Sequence, residues 1–335
     1  MGQEQSSTSE RTYGWHRDLP DHRDFRKSYR TVEDETFFNK VDLEPHCPPV
    51  FNQGHLGSCT ANAIANAYLY DEVKQDNSSE FVPSRLFIYY NERAQQHTTD
   101  TDSGSTVRNG MKTINAKGVC SEDDWPYELD EFTVEPSEEC YDFAKTHKSV
   151  KYHRVKQTEE ELKAALTHNY PVVFGFSVYS SLETDEVAST GKVPMPSLDD
   201  KFMGGHCVLL VGYNDETKEF KFMNSWGKDW GDSGYGYLPY KYLLNPDLAS
   251  DFWTVEKVTN PKLVIKAPPP SPVPSNEPLP SPEPFPSPKE EKAEPVPEVV
   301  NTMEPAATQT EDQEATDETE VAEETEVAEE PDTTN

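Results

Sequence analysis

Positive charge is scarce in this chain: 30 Lys and Arg stand against 62 Asp and Glu, a formal balance of −32. Binding a phosphate backbone needs clustered cations, so a general nucleic-acid binder is excluded. No apolar run approaches the roughly 18 residues of a membrane-spanning helix. The N-terminus has neither a basic n-region nor an apolar h-region, so no secretory signal is expected either. Cysteine is sparse. Cys47, Cys59, Cys120, Cys140 and Cys207 are odd in number, irregularly spaced and free of any C-x-x-C pair, which speaks against a disulfide framework and against a zinc knuckle. A cytoplasmic protein with no cofactor and no metal is the expectation, and the sequon Asn77-Ser78-Ser79 has no meaning without secretion.

Apolar residues are also scarce in the C-terminal fifth. Prolines recur every second or third residue from Pro268 to Pro288, acidic residues then take over, and the hexamer Thr319 to Glu324 repeats as Thr325 to Glu330. Residues 267–335 carry 19 acidic and two basic side chains. Too little apolar surface is present to offset the ordering entropy, so 259–335 is expected to be a disordered tail, Pro-rich and then acidic. It is a candidate docking arm for a protein partner or a solubilising spacer, and composition leaves both open. Roughly 210 to 250 residues remain for a compact part, enough for one substantial core or two small ones. At the other end, Met1-Gly2-Gln3-Glu4-Gln5-Ser6 fits the pattern for N-myristoylation of Gly2. A single acyl chain would give only weak, reversible membrane attachment, which in a viral chain would allow association with the virion.

The stretch Asn52 to Ala67 organises what lies between. Its first half is Gly-rich and irregular, whereas Ala61, Ile64, Ala65, Tyr68 and Leu69 follow the spacing of an apolar helix stripe. Cys59 sits where loop turns into helix, a position whose free N–H groups and dipole favour thiolate over thiol. The helix should run to about Lys74 or Gln75. Phe81 to Arg93 reads as a second helical segment with Pro83 in its first turn, and Val107 to Ala116 as a third, stopped by Gly118. Tyr13 to Phe25 has aromatics and no period; it reads as an ordered extension lying on the domain.

The second half changes character. Residues 171–178, 207–213, 220–223 and 234–238 are short β-branched or aromatic runs bounded by turns and read as strands, with Glu159 to His168 as an interposed helix. Helices followed by strands predict an α+β fold with a cleft between two lobes. Gly204-Gly205-His206-Cys207 opens one strand, and Asn224-Ser225-Trp226-Gly227 closes the next across a turn at Asn214-Asp215. Such a hairpin brings His206 and Asn224 to one sheet end, as a base and its orienting group require.

At these residues a resemblance becomes specific. Gln53-x5-Cys59, Gly205-His206 and Asn224-Ser225-Trp226-Gly227-x-x-Trp230-Gly231-x-x-Gly234-Tyr235-Gly236 resemble the papain family of cysteine peptidases over about residues 46–258, with 1–45 as an N-terminal extension. Cys59 precedes His206 by 147 residues and His206 precedes Asn224 by 18, an order the family shares. Gly118-Val119-Cys120 and Trp125-Pro126-Tyr127 fit the same alignment. The resemblance implies a two-lobed fold, helical N-terminal lobe and antiparallel β-sheet or barrel C-terminal lobe. It further implies an endopeptidase that cleaves a polypeptide substrate through an acyl-enzyme. Cys59 would be the nucleophile, His206 its ion-pair partner, Asn224 the acceptor orienting the imidazole, and Gln53 an oxyanion-hole donor beside the Cys59 N–H. Trp226 would shield the Asn224–His206 bond, and Ser103, Gly104, Ser105 and Gly205 would offer backbone groups to an extended peptide.

The chain departs from secreted members of the family. Thr60 follows the nucleophile where they have Trp, and Leu56 stands where they have a disulfide cysteine. The wording Gln-Gly-x-Leu-Gly-Ser-Cys-Thr-Ala-Asn-Ala is similar to an intracellular branch of microbes and large DNA viruses. The region before Gln53 is too short for the long helical inhibitory propeptide. Activity is therefore expected to be restrained by another device or not at all, with Tyr13 to Asp42 packed on the lobes as a permanent part of the fold. The competing reading is a catalytically silent peptidase-like adaptor acting through its tail. Intact Cys59, His206, Asn224 and Gln53 argue against it.

Overall fold

The computed structural model describes residues 11–30, 38–76 and 81–258. The Gly2 acylation motif, the sequon and the tail lie outside these residues. After a short strand β1 (Lys40–Asp42) come three helices, α1 (Cys59–Asp76), α2 (Arg85–Ala94) and α3 (Val107–Ala116). The rest runs α4 (Glu138–Ala144), β2 (Ser149–Arg154), α5 (Glu159–Thr167), β3 (Val172–Tyr179), α6 (Asp185–Thr190), β4 (Phe202–Asn214), β5 (Glu219–Met223), β6 (Tyr235–Pro239), α7 (Tyr240–Leu243) and β7 (Ala249–Val258).

The expected α+β division is present. Helix α1 is almost entirely buried, and its small residues permit this: Ala61, Ile64, Ala65 and Tyr68 have no measurable exposure, so β4 and β7 approach it on one side and α2 and α3 on the other. Helix α2 starts later than the apolar run predicts. Ser84 caps it by accepting a bond from the Phe87 N–H at 3.1 Å, while Pro83 stands before the cap in an extended bridge to Ser121. Thr106 caps α3 in the same way through Asn109.

The strands form one antiparallel sheet in the order β2-β7-β3-β4-β5-β6, with β1 on β4. The sheet is fuller than periodicity indicates. Strand β7, which lies between β2 and β3, mixes charged and aromatic residues and gives no clean alternation. Strand β4 is the spine: it pairs with β3 (Phe176 opposite His206) and with β5 in a hairpin that closes at Asn214 opposite Glu219. That hairpin delivers Gly205-His206 and the segment following Met223 to the same end, against the start of α1.

Residues 11–30 lie on this body as expected, but along an unforeseen path. Gly14 bridges Gly205 and Trp15 bridges Ser105, both in parallel, so the segment runs through the groove between the helices and the sheet.

Candidate active site

Cys59 is the first residue of α1, so its own N–H lies outside the helical ladder. Its thiol is fully buried, with the backbone of Cys207, Gly14 and Thr60 beside the sulfur. The preceding loop is held by Gln53, which is buried. Gln53 Oε1 accepts from Ser225 Oγ at 2.5 Å and Gln53 Nε2 donates to the Leu56 carbonyl at 2.8 Å, which leaves the second N–H of that amide unused by these bonds. The Gln53 backbone N–H also bonds the Ser225 carbonyl at 2.8 Å. His55, beside this loop, is exposed.

Across the groove His206 Nε2 donates to Asn224 Oδ1 at 2.8 Å. That bond places the proton on Nε2 and leaves Nδ1 as the free base nitrogen, buried and without a hydrogen-bond partner. Asn224 Oδ1 is fixed by a second donor, the Ser225 N–H at 2.8 Å. The Trp226 ring stacks on the imidazole with centroids 4.6 Å apart, as a cover over the His206–Asn224 bond, and Trp230 packs edge-on against Trp226. Gln53, Asn224 and His206 are thus linked through Ser225, and the backbone of Cys207, next to His206, stands beside the Cys59 sulfur.

A sequence profile described as "Papain family cysteine protease" matches residues 38–243. The chain belongs to the papain family. It is 42% identical over 280 residues to an uncharacterized peptidase C1-like protein of Acanthamoeba polyphaga mimivirus, covering 76% of this chain and 90% of that one. Its fold matches the crystal structure of xylellain, a cysteine protease from Xylella fastidiosa, with a TM-score of 0.70 and 40% identity over 74% of this chain and 96% of that one. Mouse cathepsin K is 27% identical over 233 residues, 67% of this chain and 61% of the cathepsin. The papain-like fold and a peptidase activity of the hydrolase class follow.

In this papain-family chain the groove is occupied. Trp15 N–H donates to the Gly205 carbonyl at 2.8 Å, Ser105 N–H donates to the Gly14 carbonyl at 2.8 Å, and His16 N–H donates to the Ser105 carbonyl at 2.9 Å. The backbone groups of Ser105 and Gly205 are therefore taken by residues 14–16. Ser103 and Gly104 belong to the same loop: the Ser103 carbonyl lies 2.6 Å from His16 Nε2, and a Cβ on Gly104 would fall 2.0 Å from the Gly14 carbonyl oxygen. Tyr13 packs edge-on against both His206 and Trp226, and Arg11 lies over the Trp226 ring while pairing with Glu183. This strap covers the groove, a route that the aperiodic N-terminal region did not suggest.

The strap also sets the electrostatics. Burial pushes the Cys59 thiol up to about 12, against the backbone groups of Cys207, Gly14 and Thr60, which oppose the shift. The expected thiolate at a helix N-terminus is therefore overturned in this state: the dipole is outweighed by desolvation. Burial likewise lowers His206 to about 4, with Asn224 working the other way and the nearby Arg11 charge adding to the depression. Both shifts favour the neutral pair.

Three supporting residues escape a reading by motif. Asp102, in a turn, accepts the Gly57 N–H on both carboxylate oxygens at 3.0 Å and the Tyr89 hydroxyl; Tyr89 in turn accepts the Gly104 N–H at 3.1 Å. One carboxylate thus ties the loop before Cys59 to the loop that meets the strap. The third is Asp18, fully buried in its side chain, which takes Arg154 Nη1 at 3.0 Å, Trp253 Nε1 and the Arg108 N–H, while Asp24 holds the Arg108 guanidinium in a two-pronged bond. These bonds anchor the strap beyond the groove. Among the described residues no group of three or more His, Cys, Asp or Glu is placed to hold a metal ion.

Proposed function

We propose that this protein is a cysteine endopeptidase whose described state is latent, and that Cys59, His206, Asn224 and Gln53 carry the chemistry once the strap leaves. The observation that carries the reading is the His206 Nε2 to Asn224 Oδ1 bond of 2.8 Å with Nδ1 left as an unpartnered base. With water restored, the Cys59 proton passes to Nδ1, giving thiolate and imidazolium. The sulfur attacks the scissile carbonyl carbon, and the developing oxyanion is met by the Cys59 N–H and the spare N–H of Gln53 Nε2. The imidazolium protonates the leaving amine as the C–N bond breaks, which leaves a thioester. A water molecule, deprotonated by His206, then attacks the thioester and returns Cys59.

The strap supports latency in its own geometry. Its backbone is hydrogen-bonded to Ser105 and Gly205, so the groups a substrate would use along the groove are taken. The test is alkylation by a peptidase-directed epoxide, read by mass spectrometry across the five cysteines. Slow labelling of the intact chain that becomes rapid, confined to Cys59 and dependent on His206 when the strap is displaced is the expected result. Labelling spread over several cysteines after displacement overturns the reading.

A further inference from the structure

Two buried cysteines have no part in the chemistry above. We propose that Cys120 and Cys140 are a site of oxidative modification: a low-molecular-weight disulfide, such as oxidised glutathione, converts them to a disulfide that staples the brace behind the catalytic loop. The inference does not depend on the peptidase reading.

Cys120 and Cys140 pack with Phe87 and Ala144 in a small cluster of their own, apart from the main core. Both are free thiols. Their side chains adjoin, and Cys120 is pushed well above the ordinary thiol range by burial first and then by the Cys140 sulfur beside it. A disulfide forms without backbone movement where two side chains already face each other at short range.

The two positions differ in how firmly they are held. The Cys120 carbonyl accepts the Ser84 N–H at 2.9 Å, and Ser121 bridges Pro83, so Cys120 is fixed to the start of α2. Cys140 rides on α4, a seven-residue helix that buries Cys140 and Ala144. So narrow a buried stripe lets α4 open locally at low cost, and opening exposes Cys140 while Cys120 stays in place.

The segment between them backs residues 52–58. Tyr127 Oη bonds Ser58 Oγ and donates to the Gln53 carbonyl at 3.0 Å; Glu122 holds Arg85, whose Nη1 donates to the Asn52 carbonyl at 3.2 Å. Leu129 lies against Gly54, with Cδ1 3.0 Å from where a Cβ would stand. A Cys120–Cys140 bond joins the two ends of this brace.

The exchange balances. Cys140 loses its proton and attacks one sulfur of oxidised glutathione, breaking the S–S bond and expelling a glutathione thiolate that takes up a proton. Cys120 then loses its proton and attacks the Cys140 sulfur of the mixed disulfide, expelling the second glutathione. The protein dithiol is oxidised by two electrons, and one glutathione disulfide is reduced to two thiols.

The test incubates the full-length chain with oxidised glutathione, caps the remaining thiols and digests without reduction. The expected result is one linked peptide pair holding Cys120 and Cys140, with the intact mass lower by about 2 Da once both glutathiones have left. Closing a loop of about 20 residues should also raise the melting temperature by about 6 to 12 °C, reversed by dithiothreitol and absent in Cys140→Ser and in Cys120→Ser. If neither variant folds, the linked peptide and the melting shift of the unaltered chain decide. A Cys59–Cys207 link, glutathione retained on single cysteines, or Cys120 and Cys140 recovered as capped thiols overturns the proposal. A Cys120–Cys140 link with an unchanged melting temperature overturns the staple.

Discussion

Gly14→Ala isolates what the strap does. A Cβ at this position would lie 1.8 Å from the Gly57 carbonyl oxygen and 2.4 Å from its carbon, and both partners are backbone, so no rotamer change relieves the overlap. Overpacking of this kind costs about 1 to 3 kcal/mol where side chains can give way, and the top of that range applies when neither side can. The strap has limited means to absorb it. Three backbone hydrogen bonds hold residues 14–16 in the groove, each contributing about 1 kcal/mol net. A loss of about 3 kcal/mol shifts the open-to-closed ratio by roughly 150-fold, at 1.36 kcal/mol per factor of ten.

Because the Cys59 thiol has no exposure in the closed state, its alkylation rate should track the open population. The second-order rate of epoxide labelling at Cys59 is therefore expected to rise by about 30- to 150-fold in Gly14→Ala for a loss of about 2 to 3 kcal/mol. Thermal unfolding of the body should move little, since Asp18, Asp24 and Tyr29 still anchor the extension outside the groove. A labelling rate within about threefold of the unaltered chain, under 1 kcal/mol on the same scale, with His206→Ala still abolishing it, would refute occlusion by the strap.

Three further outcomes are expected. Asn224→Ala removes the acceptor of a buried imidazole N–H, a loss of about 1 to 3 kcal/mol, so Cys59 labelling in the Gly14→Ala background should fall by about 5- to 150-fold with the melting temperature less affected; unchanged labelling would deny Asn224 its orienting role. Asp102→Asn weakens the tie between the Gly57 and Gly104 loops, and a loss of about 1.5 to 3 kcal/mol for charge-assisted bonds should appear as a lower melting temperature and slower labelling together. For pH, the closed pair holds one proton on sulfur and the open ion pair holds one on Nδ1, so opening takes up no net proton between the two titrations of the open pair. Amide exchange at Trp15 and His16, corrected for its intrinsic pH dependence, should therefore change little from pH 7 to 5; acceleration toward acid would show that the open site binds a further proton.

What could be read from the sequence were the features that local chemistry fixes. The Gly-rich run ending at Cys59 and the small residues after it give a loop-to-helix boundary in either environment, and α3 begins and ends where Thr106 and Gly118 require. The Cys207 and Phe220 runs with a turn between them can only form a hairpin, and its register brings His206 to Asn224. The strap's route was not readable because it has no period: Gly14, Trp15 and His16 bond to Ser105 and Gly205, some 90 and 190 positions away, and nothing local encodes that. Gly175 looked like an ordinary residue of an apolar strand, and the Trp15 indole that lies on it comes from that distant segment. Asp102 sat among turn residues, where an acidic side chain is unremarkable. The thiolate expectation for Cys59 failed for a related reason, since a helix terminus is visible in sequence and the element that buries it is not.

Closure acts on the chemistry as well as on access. Excluding water raises Cys59 and lowers His206, so the closed pair holds one proton on sulfur and none on Nδ1. Opening lets that proton cross from Sγ to Nδ1. The pair holds the same number of protons before and after, and the open–closed balance depends on pH only through a difference in bound protons. Between the two titrations of the open pair the switch is therefore flat with respect to its own catalytic groups. Control falls to the contacts of the strap: the Trp15 ring on Gly175, the bonds to Ser105 and Gly205, and the arginine-held carboxylates of Asp18 and Asp24. On the proposed function, a partner or cleavage that removes those contacts would create the reactive ion pair in the same event that uncovers it.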